Sequence, residues 1–138
     1  MNAAPARRIA LTTLVVRDYD EAIAWYRDKL GFALLEDKPL AERGKRWVVM
    51  GPQEAGGACL LLARADTAAS RAAIGRQAGG RVFLFLYTDD FWRDYHAMRE
   101  NGVAFREAPR EEDYGTVAVF TDLYGNPWDL LQPADKIV

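Results

Sequence analysis

The sequence holds few groups able to do covalent or metal chemistry. His96 is its sole histidine and Cys59 its sole cysteine. A thiolate nucleophile needs a base within hydrogen-bond reach, and these two lie far apart in the chain. One cysteine also excludes an intramolecular disulfide framework and a Cys-based zinc cluster. Cys59 sits in the apolar run Ala58-Cys59-Leu60-Leu61-Leu62 and reads as a small buried hydrophobe. His96 lies among Tyr95, Ala97 and Met98 and reads as a helix-surface residue. Ring surface is what the chain has in quantity: four Trp, six Tyr and six Phe. Trp47, Tyr87, Trp92, Tyr114, Tyr124 and Trp128 can stack on a flat ligand. Trp47 and Tyr114 stand out, because Trp47 begins a strand after a polar loop and Tyr114 opens one after Glu111-Glu112-Asp113.

The elements that must position these groups form a pattern written twice. Ile9 to Val16 is a β-rich run. Asp18 with Glu21 three residues on is a capping-box variant, and Tyr19, Ile23, Tyr26 and Leu30 recur at helical spacing. Gly31 follows where a left-handed C′ residue is wanted, so the spacing predicts a helix from Tyr19 to Leu30. Three strands follow, Phe32 to Glu36, Arg46 to Met50 and Ala58 to Ala63. Pro39, Gly44, Gly51-Pro52 and Gly56-Gly57 separate them. From Arg81 the pattern recurs. Arg81 to Tyr87 is strand-like, Asp89-Asp90 precede a helix carrying Phe91, Tyr95 and Met98, and Asn101-Gly102 closes it. Strands are expected at Val103 to Glu107, Thr116 to Thr121 and Pro127 to Gln132. The charged run Arg106 to Asp113 is expected as a solvated hairpin connection.

Each half thus reads β-α-β-β-β, a duplicated supersecondary unit. Module one covers about 8–64, the linker about 65–80 with a short helix at Thr67 to Gln77, and module two about 81–133, within one domain spanning 1–138. The expected class is α+β: two tandem βαβββ modules forming a cupped mixed sheet. A helix covers one face of each module's sheet, and the other faces line a central cleft, the default ligand site.

The bulk numbers agree. Of 138 residues, half are hydrophobic and 12% aromatic, which supports a real core. The net charge is −2, without a long run of one sign, so nothing favours nucleic acid. No segment approaches the roughly 18 apolar residues of a membrane span. Arg7-Arg8 followed by Ile9 to Val16 reads as a strand, not a leader, and a cytoplasmic location is expected.

The run Leu14-Val15-Val16-Arg17-Asp18-Tyr19-Asp20-Glu21-Ala22-Ile23-Ala24-Trp25-Tyr26, closing with Lys29-Leu30-Gly31-Phe32, resembles the opening of vicinal-oxygen-chelate proteins of the glyoxalase/bleomycin-resistance/dioxygenase type. Phe120 to Leu130, with Asp122 and Gly125-Asn126-Pro127, resembles their final turn and strand. The resemblance implies that fold and a homodimer, with a cleft that some relatives build from both chains. It leaves activity open, since fold does not fix function. Relatives often hold a divalent metal as Lewis acid on His and Glu from the first and last strands of each module. The corresponding positions here are Leu11, Leu60 or Leu61, Val82 or Phe83, and Asp129. Only Asp129 can ligate, and one carboxylate does not make a site of about three protein ligands. The expectation is therefore no metal and no cofactor.

By the same analogy, Leu11, Thr13, Leu61, Phe83 and Asp129 face the cleft, with Trp47 and Tyr114 at its margin. Arg81, at the start of module two, could meet a ligand carboxylate. Asp129 in apolar company is a candidate catalytic base or anchor whose pKa burial raises. The reading is a metal-independent binding protein for a partly aromatic small molecule. The alternative is an enzyme of this fold, using Asp129 for lyase- or isomerase-like proton transfer, or a metal-dependent lyase or dioxygenase if the ligand count is wrong.

Overall fold

The computed structural model describes residues 5–53 and 56–135. Asp18 caps the first helix, α1 (Tyr19–Leu30), accepting the Glu21 amide at 2.8 Å. Gly31 ends it with φ 71°, and the Gly31 and Phe32 amides fold back onto the Arg27 and Tyr26 carbonyls, a Schellman-type stop that only a residue tolerant of positive φ makes cheaply. Its buried face is Tyr19, Ala22, Ile23 and Tyr26. Asp90 caps α3 (Phe91–Glu100) in the same way, and that helix buries Phe91, Tyr95 and Met98.

Around α1 run β1 (Leu11–Val16), β2 (Ala33–Pro39), β3 (Arg46–Gly51) and β4 (Cys59–Arg64), in the order β1-β4-β3-β2. The β1–β4 pair is parallel and the others antiparallel. Around α3 run β5 (Leu84–Tyr87), β6 (Ala104–Phe105), β7 (Arg110–Glu112), β8 (Gly115–Thr121) and β9 (Pro127–Pro133), in the order β5-β9-β8-β6 with β7 also on β8. The β5–β9 pair is again parallel. This is an α+β arrangement of two modules, βαβββ and the same pattern with one added strand, β7, and its strands are divided between two sheets.

Three expectations need correcting. The linker helix α2 is Ala68–Ala73, not Thr67 to Gln77; Ile74 leaves helical backbone and Gly75 takes φ 78°. Part of the supposed hairpin connection is strand β7, held by its ladder to β8 and by Arg110 pairing with Glu107 and Glu112. Strand β5 starts at Leu84, not Arg81: the ladder with β9 begins at Leu84 opposite Trp128, with the Phe83 amide bonded to the Pro127 carbonyl just ahead of it.

Both sheets turn one face to a single core with both helices. Leu14, Val16, Val48, Met50, Leu60 and Leu62 enter it from the first sheet, and Ala118, Phe120, Trp128 and Leu130 from the second. Polar links stitch the halves. The Tyr26 hydroxyl, buried, donates to Asp122 Oδ2 at 2.6 Å, and the Tyr124 hydroxyl to Glu21 at 2.9 Å. Asp122 also accepts the Tyr124 and Asn126 amides and the Asn126 carboxamide. Burial first, then the Asp122 charge, push the Tyr26 hydroxyl pKa well up, so it stays a donor. The linker docks too. Gln77 donates to the Thr13 carbonyl at 2.7 Å and accepts the Val15 amide, taking the place of a neighbouring strand on the outer edge of β1.

Candidate functional site

Strand alternation sends the residues not in the core to each sheet's other face. On the second sheet, Asp129 of β9 lies between Phe85 of β5 and Val119 of β8. One rung on, Leu131 lies between Tyr87 and Val117, and Arg110 of β7 is opposite Val117. Val117 and Leu131 are buried yet stand outside the core cluster, as the opposite face requires. Phe85 and Tyr87 are 59% and 55% exposed, a large ring surface facing solvent.

Asp129 is 7% exposed, and its Oδ1 is buried with no hydrogen-bond partner among the described residues. A buried polar atom left unpaired costs about 1–3 kcal/mol, so its retention asks for a reason. Burial raises its pKa. The nearby Arg110 charge opposes that rise and the Glu107 charge adds to it. Arg110 gives no hydrogen bond to Asp129. Its Nε is on Glu107 at 3.0 Å and its Nη1 on Glu112 at 2.6 Å.

The first sheet's free face carries Leu11 opposite Cys59, Thr13 opposite Leu61, and Leu61 opposite Val49. Trp47 lies two residues before Val49 on that face, and its indole N–H donates to Glu36 at 3.1 Å. The sequence candidates therefore fall into two groups. Leu11, Thr13, Leu61 and Trp47 share one face, and Asp129 is on the other sheet's face. No ladder joins β1 to β5. Phe83 packs toward the core. Arg81 is exposed ahead of β5, and Tyr114, 52% exposed, sits at the β7–β8 turn. Cys59 is half-buried, not buried.

Phe85 and the Arg110–Glu107–Glu112 cluster were not legible as site residues. Val82-Phe83-Leu84-Phe85-Leu86-Tyr87 is continuously apolar, which looks like a strand buried on both sides and hides the exposed alternate positions.

Two crevices lie between the modules on the edge of β5. A groove of about 860 Å³ is bounded by Lys29, Phe32, Leu86, Tyr87, Arg93 and Asn101. A smaller apolar one of about 360 Å³ is bounded by Phe32, Cys59, Leu84, Tyr87 and Trp128. Asp129 lines neither of them.

The fold and its paired modules place this chain in a known class. The profile of the Glyoxalase/Bleomycin resistance protein/Dioxygenase superfamily matches residues 8–130, and the chain belongs to that superfamily. It is 62% identical over 123 residues to an uncharacterized protein of Shewanella frigidimarina (strain NCIMB 400), covering 89% of this chain and 91% of that one. Among solved structures it resembles UcmS2, with a TM-score of 0.79, 29% identity, and coverage of 92% of this chain and 98% of that one. It also resembles TnmS3, an antibiotic binding protein from Streptomyces sp. CB03234, with a TM-score of 0.76, 28% identity, and coverage of 96% and 100%.

The metal that many members use does not fit these residues. Leu11, Leu60, Leu61, Val82 and Phe83 offer hydrocarbon where ligands would stand, and Asp129 alone offers oxygen. Among the described residues no three His, Cys, Asp or Glu side chains cluster as a metal site would need. No helix among them is long and apolar enough to cross a membrane.

Proposed function

We propose that this protein binds a small, partly aromatic molecule without a metal, on the free sheet faces, and acts in the cytoplasm, where a lone thiol such as Cys59 stays reduced. One observation carries the reading: a buried, unpartnered carboxylate oxygen of Asp129 beside the exposed rings of Phe85 and Tyr87. Pockets that hold a ligand bury most of its surface, and an open sheet face cannot do so alone. The reading therefore includes a homodimer, in which the face of one module in one protomer covers that of the other module in its partner. Leu11, Thr13, Leu61 and Trp47 then form one wall, and Phe85, Tyr87 and Asp129 the other. TnmS3, similar over its whole length, is an antibiotic binding protein, which supports a binding role for this architecture.

A second reading shares the site. Burial raises the pKa of Asp129, which suits a group that takes and returns a proton, with Thr13 or Tyr114 assisting, and so a metal-free lyase or isomerase.

The test is calorimetric titration of chelator-treated protein with Zn²⁺, Ni²⁺, Mn²⁺ and Fe²⁺, followed by a thermal-shift screen of flat molecules. The expected outcome is no stoichiometric metal binding, and stabilisation by an aromatic compound that is lost in Asp129→Ala. Micromolar metal binding that disappears in Asp129→Ala would reinstate metal-dependent chemistry.

A further inference from the structure

The charges around Asp129 say which chemistry its face can accept, provided that face is the binding site proposed above. From β5 it is met by Phe85 and Tyr87, and from β8 by Val117 and Val119, all uncharged. Strand β7 brings Arg110 and Glu112, and the turn before it brings Glu107. The inventory is three carboxylates against one guanidinium. That guanidinium is held by two of the carboxylates and gives no hydrogen bond to Asp129. An anionic ligand would therefore meet a buried carboxylate and find Arg110 engaged elsewhere. A ligand bearing N–H donors and positive charge would supply the charge partner that the Asp129 carboxylate lacks. Its charge would also lie beside the faces of exposed rings, where a cation is attracted.

We propose that this face selects a cation: a planar, partly aromatic molecule whose protonated amine seats on Asp129 while its ring lies against Phe85 and Tyr87. Arg81, which could have paired with a ligand carboxylate, is exposed ahead of the strand and takes no part. Asp129 is then a specificity-determining residue. Charge-assisted hydrogen bonds are roughly twice as strong as neutral ones, so the amine gains more from Asp129 than a hydroxyl on the same ring.

Three probes with one ring system test this: naphthylmethylamine, naphthalenemethanol and naphthoate, titrated at pH 7 into wild type, Asp129→Asn and Phe85→Ala. In the wild type the amine is expected to bind about tenfold or more tightly than naphthoate, with the alcohol between them. Asp129→Asn should collapse that spread, and Phe85→Ala should weaken all three together. Equal affinities, or a spread that persists in Asp129→Asn, overturn the choice of a cation and leave a binding face. Affinities untouched by Phe85→Ala place the binding elsewhere and overturn the assignment to Asp129. If none of the three binds folded wild type, the binding reading falls, and this inference with it.

Discussion

Replacing Asp129 by Asn should make the protein more stable, not less. The carboxylate is 7% exposed and its Oδ1 has no donor among the described residues. Burial is the main cause of its raised pKa, so the folded protein holds the ionised form at a cost. An unpaired buried polar atom costs about 1–3 kcal/mol, and more when charged. The Asn side chain keeps the shape and removes the charge; with its NH2 at the Oδ2 position, which is not among the buried unpaired atoms, one unmet oxygen stays at the Oδ1 position. The net gain at pH 7 should be about 1–2 kcal/mol, or roughly 3–8 °C in Tm for a chain of this size. The pH dependence fixes the cause. An Asp is ordinarily half-ionised near pH 3.9 when unfolded, and this one is raised when folded. Above the folded pKa both states are ionised and the full cost is present. As pH falls through the folded pKa the native state takes up a proton first, and the cost fades. The gap between Asp129→Asn and wild type should therefore be widest at pH 7 and close toward pH 4. Urea unfolding at a series of pH values measures it. A mutant that is less stable at pH 7, or a gap independent of pH, would refute the reasoning.

The other expectations concern how the modules are held. Tyr26→Phe removes the hydroxyl that donates to buried Asp122 and should cost about 1–3 kcal/mol in urea unfolding, with the m-value unchanged. Gly75 has φ 78°, and a Cβ there would stand 2.2 Å from the Tyr124 carbonyl oxygen. Gly75→Ala should then release the linker and cost about 1–3 kcal/mol for backbone strain alone, seen as faster proteolysis between Asp66 and Arg81. Gln77→Ala leaves the Thr13 carbonyl and Val15 amide without their partners. Hydrogen exchange at Val15 should accelerate by about fivefold, from the loss of roughly 1 kcal/mol of local protection.

The sequence spoke most clearly where one local rule acted alone. Asp18, Glu21, the apolar spacing and Gly31 define α1 to the residue, because caps and periodicity agree there. The alternation of Leu11, Thr13 and Val15 assigns them to one face, and the register with Cys59, Leu61 and Ala63 agrees. Strand β7 was hidden because Arg110-Glu111-Glu112 has no apolar alternation; its strand character comes from its ladder with β8, a non-local cause. The end of α2 was hidden for a similar reason, since Gly75 turns where it must pass Tyr124. In the candidate site, Asp129 could be found by analogy, but its isolation could not. That depends on Arg110 being engaged by Glu107 and Glu112, partners that no spacing reveals.

The Gln77 carboxamide has a consequence for how copies of this chain can join. A duplicated unit with two like outer strands could in principle add end to end, β1 of one copy to β5 of the next, and such a heterologous contact need not close. With Gln77 on the Thr13 carbonyl and the Val15 amide, β1 offers no free rung at that point. The linker that joins the two halves thus also occupies the edge positions of β1 through which another strand would add.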